Sequence, residues 1–186
     1  MNLSEMKKKT LALIEEIDEN EENLTSDPDI GCKMNYVINQ VMFELARIKK
    51  IPDYVELQVE ENDLVRFADI ARESKYEVYQ IDAVRGVDYE YKAKGTIIKA
   101  LETGGLEVNF FRYPERIAED TEDNYEFELS DDVLEVMPYG VAADLLKSDV
   151  SNNFGKIYAD RYEEMKSRLD PRYNMGMISF EGGIDI

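Results

Sequence analysis

The spacing of apolar residues changes twice along the chain. Before Pro52, apolar side chains recur at steps of three and four residues, which is typical of helices. After Pro52 they alternate with polar residues, as from Val55 to Glu60, which is typical of a half-buried strand. The last β-type run ends at Pro114, and helical spacing returns after residue 130. The sequence therefore predicts an α+β fold in which a β unit is inserted between helical segments.

Four helical segments are predicted, at residues 3–17, 28–50, 131–146 and 154–169. The second segment has the clearest start, because Ser26 or Asp27 can cap the helix and Pro28 fits its first turn. Basic residues up to Lys50 lie where the negative end of the helix dipole favours them, and Pro52 favours a stop.

The later helical segments carry two further predictions. Pro138 and Gly140 interrupt the third segment, so we expect it to break into two pieces. The last segment carries an apolar stripe at helical spacing, which we interpret as core. The stripe consists of Phe154, Ile157, Tyr158, Tyr162, Met165 and Leu169.

Residues 53–114 are predicted to form an antiparallel β unit of about four or five strands. The pair Gly104–Gly105 lies between two β-type runs, which is typical of a hairpin turn. It lacks the Lys-Ser/Thr and the following helix of a phosphate-binding loop. A further short strand is predicted at Tyr125–Leu129. Because the helices must bury their apolar stripes against each other, we expect an antiparallel helical bundle of about four helices around this insertion.

The predicted organisation has three parts: a helical bundle (1–52 plus 115–171), the β insertion (53–114) and an extended C-terminal docking tail (172–186). The tail is apolar, contains three glycines and has no helical pattern. It can pack back on its own domain, or it can dock on a partner, for example as an added edge strand. The candidate partner-binding residues are Arg172, Tyr173, Met175, Met177, Ile178, Phe180, Ile184 and Ile186.

The composition excludes several kinds of site. The chain has no histidine, which removes the Ser-His-Asp triad, the Cys-His pair and His-ligated zinc. The single cysteine, Cys32, allows neither an intrachain disulfide nor a thiolate cluster, and we interpret it as a small packing residue. The acidic run at 18–23 lacks the glycine and terminal glutamate of a calcium loop. We predict no catalytic residues, no cofactor and no metal; a paired-acid or two-metal site is the alternative in a chain so rich in acids.

The charge of the chain restricts its partners. It has 41 acidic and 22 basic residues, a net charge of −19, and no basic patch. This argues against specific binding of nucleic acid and leaves three roles for the acidity: solubility, mimicry of DNA, or lining a passage through which DNA slides. No apolar run is long enough for a membrane helix, and Glu15 and Glu16 argue against a secretory signal. We therefore expect a protein made in a reducing cytoplasm, with no membrane partner.

Two segments resemble one protein family. The first is the capped start Asp27–Ile30 with the helix Met34–Ala46, and the second is Met137–Lys147 followed by the helix Tyr158–Glu163. With the order helix, helix, β insertion, helix, helix, tail, they resemble the head–tail adaptor (connector or head-completion) proteins of tailed bacteriophages. The resemblance is to the variant of this family that carries a β insertion.

The resemblance implies a structural virion protein and no enzymatic activity. Such a protein is made in the host bacterial cytoplasm and forms a dodecameric, homo-oligomeric ring in the virion neck, at the head–tail interface. The ring docks beneath the phage portal protein, extends the DNA channel and completes the head after packaging. It offers a platform to the next tail-side connector protein, DNA passes through without specific binding, and the C-terminal tail engages the portal. The alternative function is an acidic DNA-mimic or inhibitory binding protein. Its target would be a DNA-binding protein, and DNA would compete with it for that target.

Overall fold

The computed structural model describes residues 1–18, 20, 24–148 and 153–169, and this part of the chain has a mixed α+β fold. Its helices are α1 (Leu3–Leu13), α2 (Pro28–Ala46), α3 (Phe67–Ser74), α4 (Asp131–Leu145) and α5 (Phe154–Ser167). Its strands are β1 (Ile51–Val59), β2 (Leu64–Arg66), β3 (Val78–Gly86), β4 (Tyr89–Lys92), β5 (Ile97–Ala100) and β6 (Gly104–Arg112). The α+β class predicted from the sequence is confirmed, with all strands lying between α2 and α4 in the chain.

The start of α2 follows from one capping side chain. The Asp27 carboxylate accepts hydrogen bonds from the backbone N–H groups of Asp29 (2.8 Å) and Ile30 (3.3 Å), and Pro28 is the first helical residue. These bonds satisfy N–H groups that have no partner inside the helix. The predicted start is confirmed, and the cap is Asp27 instead of Ser26.

The first two helices are shorter than predicted. Helix α1 ends at Leu13 because Glu15 has a left-handed backbone conformation (φ 60°), so Ile17 lies outside the helix. Helix α2 ends at Ala46, and the chain turns before Lys50 so that β1 can begin at residue 51. The C-terminal ends of α1 and α2 are therefore determined by the conformation of the residues that follow each helix. Helix propensity, which describes residues within a helix, does not predict them.

Helix α4 contacts three other helices, α1, α2 and α5. The predicted break at Pro138 and Gly140 is wrong, since α4 continues through both residues. A proline inside a helix removes one backbone hydrogen bond. Here Pro138 itself is buried together with Met137 and Gly140, and tertiary packing of this kind outweighs local propensity. The buried residues of α4 are Val133, Leu134, Val136, Met137, Pro138, Gly140, Val141, Ala142 and Leu145.

The six strands form two three-stranded antiparallel sheets, with the orders β1–β6–β3 and β2–β5–β4. Strand β6 is the centre of the first sheet, and its pairing with β1 runs from Ile51–Arg112 to Val59–Gly104. Helix α3 follows β2 directly and precedes β3. The prediction of four or five strands missed one strand and this short helix.

The predicted hairpin at Gly104–Gly105 is wrong, because β5 and β6 belong to different sheets. The glycines instead allow a close approach between the end of β3 and the start of β6. A Cβ atom on Gly86 (φ +113°) would lie 2.2 Å from the carbonyl oxygen of Gly105. The same oxygen accepts a hydrogen bond from the N–H of Val87 at 3.1 Å. Only glycine fits at position 86 without displacing this contact.

Residues 125–129 do not form the predicted strand; among the described residues, their bridge partner is Asn2, paired with Glu126. Phe127 and Leu129 are buried and alternate with exposed neighbours, as they would in a strand. They pack into the core that the helices form. The alternation therefore reflects burial against helices.

The buried apolar residues fall into two clusters. The first combines the helices α1, α2, α4 and α5 with side chains from the connection between β6 and α4, such as Ile117 and Phe127. The second combines strands of both sheets with Ile70 of α3. The division of the chain at residues 52, 114 and 171 stays a prediction.

Candidate interaction surfaces

The partner-binding residues predicted from the sequence lie outside the described residues. They are Arg172, Tyr173, Met175, Met177, Ile178, Phe180, Ile184 and Ile186. The described chain stops at Leu169, just after α5. The surface around α5 is therefore the part of the structure closest in sequence to the predicted docking segment.

Helix α5 is much less buried than its sequence predicted. Of its residues, Tyr162 alone is buried, while Phe154 and Ile157 are 55% and 56% exposed. Met165 and Leu169 are partly buried against the helical core. The interpretation of the stripe as core is thus wrong for Phe154 and Ile157. A helix that presents two large apolar side chains one turn apart to solvent offers a surface for another molecule.

Tyr162 fixes α5 to α4 through a gap that a glycine provides. A Cβ atom on Gly140 would lie 2.8 Å from Cε2 of Tyr162 and 3.0 Å from Cγ1 of Val41 in α2. The ring therefore occupies the space where any other residue at position 140 would place its side chain. Burial raises the pKa of the Tyr162 hydroxyl, and the nearby Glu44 carboxylate raises it further. The two segments that carry the family resemblance are in direct contact here.

Lys166 adds a polar attachment of α5 to α2. Its ammonium group lies 2.7 Å from Oε1 of Glu44, and it also pairs with Glu163 on its own helix. The same ammonium lies 4.7 Å from the centre of the Tyr162 ring. The Lys166 side chain is mostly buried while the Glu44 side chain is half exposed, so the pair is a modest addition to the contact between α5 and α2.

An apolar groove runs between α1, α4 and α5. Its uncharged lining consists of Ala12, Leu13, Pro138, Tyr139 and Met165, and it encloses about 440 Å³. The exposed side chains of Lys9 and Glu135 supply its charges. Beyond the groove, the Tyr158 hydroxyl donates a hydrogen bond to the Leu13 carbonyl and so joins α5 to the end of α1. A volume of this size is typical of binding pockets.

The helical and β parts are joined by the buried side chain of Arg112. Its Nε donates to Asp53 at 2.9 Å, and its terminal nitrogens donate to both Glu128 oxygens at 2.9 and 2.8 Å. The guanidinium carbon lies 3.7 Å from the centre of the Tyr76 ring. The bond from Arg112 lowers the pKa of Glu128 despite the opposing effect of burial. This arrangement satisfies a buried cation and gives it a structural role.

An aromatic contact supports the same junction. The Tyr79 hydroxyl donates to the Ala46 carbonyl at the end of α2 (3.0 Å), and Arg47 donates to the Tyr113 hydroxyl (2.7 Å). The rings of Tyr113 and Phe43 are stacked with centres 4.8 Å apart. Burial raises the pKa of Tyr79 to about 12. No sequence pattern predicts this contact, because its residues come from separate elements and share no motif.

Two further sequence predictions can be compared with the described chain. Cys32 is exposed on α2, so its interpretation as a packing residue is wrong. Within residues 1–18, 20, 24–148 and 153–169, no group of three or more Cys, Asp or Glu side chains is placed to hold a metal ion. None of the described helices is long and apolar enough to cross a membrane.

No protein-family model matches the chain, and no curated protein matches its sequence.

Proposed function

We propose that the protein is a structural virion protein of a tailed bacteriophage, a head–tail adaptor that forms a dodecameric ring between the portal and the tail. Its helices act as an antiparallel bundle with the β unit inserted between α2 and α4 and with an extended C-terminal tail. The ring extends the DNA channel and completes the head after packaging. The observation that carries this proposal is the exposed apolar face of α5.

The exposed face of α5 supports assembly because it is costly in an isolated chain. Phe154 and Ile157 leave apolar surface in water, and burying such a side chain stabilises by about 1.5–3 kcal/mol. In a ring, one face of each copy meets a different face of the next copy. Repeating the same buried contact around a closed ring multiplies this gain without creating an open edge.

The charge of −19 supports the channel role. DNA is repelled by an acidic wall over about a Debye length of 8–10 Å, so it moves through the ring without adhering. The apolar segment at 172–186 supports docking, with the portal protein as its partner and the next connector protein bound on the opposite side. No resident cofactor or catalytic group is part of this proposal.

A matched pair of substitutions tests the interface. Ile157→Asp places a charge on the α5 face, and Tyr36→Asp places one on the exposed surface of α2, where the side chain is 66% exposed. Sedimentation velocity and electron microscopy measure assembly of each variant beside the wild type. We expect Ile157→Asp to remain monomeric and Tyr36→Asp to form rings. If Ile157→Asp forms rings as well as the wild type, the α5 face is not the interface.

A further inference from the structure

The groove between α1, α4 and α5 lies beside the point at which the described chain stops. Met165 lines the groove, and Leu169 follows it by one helical turn. The next 17 residues of the chain, 170–186, therefore start next to the groove. The residues that line the groove cover about one turn of α1 (9–13) and about one turn of α4 (135–139), about 6 Å along each helix. A fully extended chain covers about 3.3–3.6 Å per residue, so a few extended residues are enough to follow the groove from end to end.

We propose that this groove holds the apolar side chains of Tyr173, Met175 and Met177, from the segment 172–186 of the same chain, while the chain is unassembled. The groove then covers the apolar docking segment until a partner competes for it. This inference goes beyond the proposed ring, because it concerns the isolated chain and needs neither the portal nor a second copy.

The sequence pattern of the segment matches an apolar groove. Tyr173, Met175 and Met177 alternate with the small or polar residues Asn174 and Gly176. In an extended conformation, alternate side chains point to the same side, so these three present one apolar face. Methionine side chains are flexible and fill irregular apolar spaces well.

The charges of the segment also fit the groove. Residues 170–186 contain three acids, Asp170, Glu181 and Asp185, and one base, Arg172. The groove offers a cation at Lys9 and an anion at Glu135. Both signs therefore have an opposite charge within the groove.

The same chain is favoured over a second copy as the source of the segment. A tethered segment has an effective concentration in the millimolar range when its linker is short. Two separate copies, each with a charge of −19, repel each other before the groove and the segment can meet. Occupation within one chain avoids this repulsion.

A single-tryptophan experiment tests the proposal, since the chain has no tryptophan of its own. Tyr139→Trp places an indole in the groove, and Tyr36→Trp places one on the exposed face of α2 as the matched control. Each full-length reporter is compared with the same reporter carrying Met175→Ser and Met177→Ser. Acrylamide quenching of the indole fluorescence reports how accessible each position is. Lys9→Trp, at an exposed groove position, is a second reporter should Tyr139→Trp fail to fold.

We expect the serine substitutions to raise the quenching constant of the groove tryptophan about two-fold or more, because the segment then leaves the groove and the indole becomes accessible to acrylamide. The Tyr36→Trp control should not change. An unchanged quenching constant at both groove positions would overturn the proposal. Protection from acrylamide quenching could instead grow with protein concentration, with dimers seen by light scattering. That result would assign the segment to a second copy and overturn its assignment to the same chain.

Discussion

Replacement of Gly140 by alanine tests the contact between α4 and the Tyr162 ring of α5. Two opposing effects decide the result. Alanine is favoured over glycine inside a helix by about 1 kcal/mol. Its Cβ atom, however, would lie 2.8 and 3.0 Å from Cε2 and Cδ2 of Tyr162 and 3.0 Å from Cγ1 of Val41. Carbon atoms pack best at about 3.5–4.0 Å, so the ring and the helix must move apart.

The expected magnitude follows from these two terms. Overpacking of a buried site costs about 1–3 kcal/mol, so Gly140→Ala should lower the free energy of unfolding by about 0–2 kcal/mol. Removing the ring with Tyr162→Ala costs about 3–5 kcal/mol by itself. In that background most of the overlap is gone, and Gly140→Ala should become stabilising by up to about 1 kcal/mol. Tyr162→Leu serves as a milder background if Tyr162→Ala does not fold.

The four variants form a double-mutant cycle, measured by urea denaturation with far-ultraviolet circular dichroism. We expect a coupling free energy of about 1–3 kcal/mol between positions 140 and 162, with the effect of alanine changing sign. The same effect of Gly140→Ala with and without the tyrosine ring would contradict the proposed overlap. So would a stabilisation of the wild type by the full propensity difference.

Three other perturbations have defined outcomes. Because the folded pKa of Glu128 is lowered from 4.5, its bond to Arg112 stabilises the protein above pH 4.5, and this stability is lost as the pH falls through the folded value. Glu128→Gln should flatten that part of the pH dependence in urea titrations; an unchanged slope would contradict the assignment. Gly86→Ala should destabilise by about 2 kcal/mol or more, while Gly95→Ala, which has a positive φ but open space, should cost only about 1 kcal/mol. Equal losses of stability in the two variants would show that the contact with Gly105 does not determine the cost at position 86. Higher ionic strength should shift the protein from monomer to ring in sedimentation experiments, because salt screens repulsion between chains of charge −19; dissociation by salt would indicate an interface held by ion pairs.

The parts of the fold that the sequence predicted are those decided by neighbouring residues. The start of α2 depends on Asp27 and the next few residues, and the alternation in β1 depends on the strand itself. The continuity of α4 through Pro138 depends on burial by three other helices, which no local pattern contains. Strands β5 and β6 belong to separate sheets because β6 pairs with β1 and β3, which are distant from it in the sequence. The local pattern at Gly104–Gly105 is that of a hairpin, but it contains no information about this pairing.

Of the candidate surfaces, too, the sequence predicts only the one that a continuous stretch of residues forms. The apolar tail was identified from composition alone, and its residues lie outside the described chain. The groove could not be identified from the sequence, because Ala12, Tyr139 and Met165 come from three helices and share no spacing. The exposure of Phe154 and Ile157 was missed for a related reason. An apolar stripe at helical spacing shows that a face is to be covered, but it does not show whether the same chain or another molecule covers it.

The molar mass of the purified protein distinguishes the proposed ring from a single chain. Multi-angle light scattering, at several protein concentrations and at low and high ionic strength, gives this mass without reference to shape. We expect one assembled species with twelve times the mass of a single 186-residue chain, favoured at high concentration and high salt. A single-chain mass under every condition would contradict the ring and leave the exposed face of α5 to a different partner.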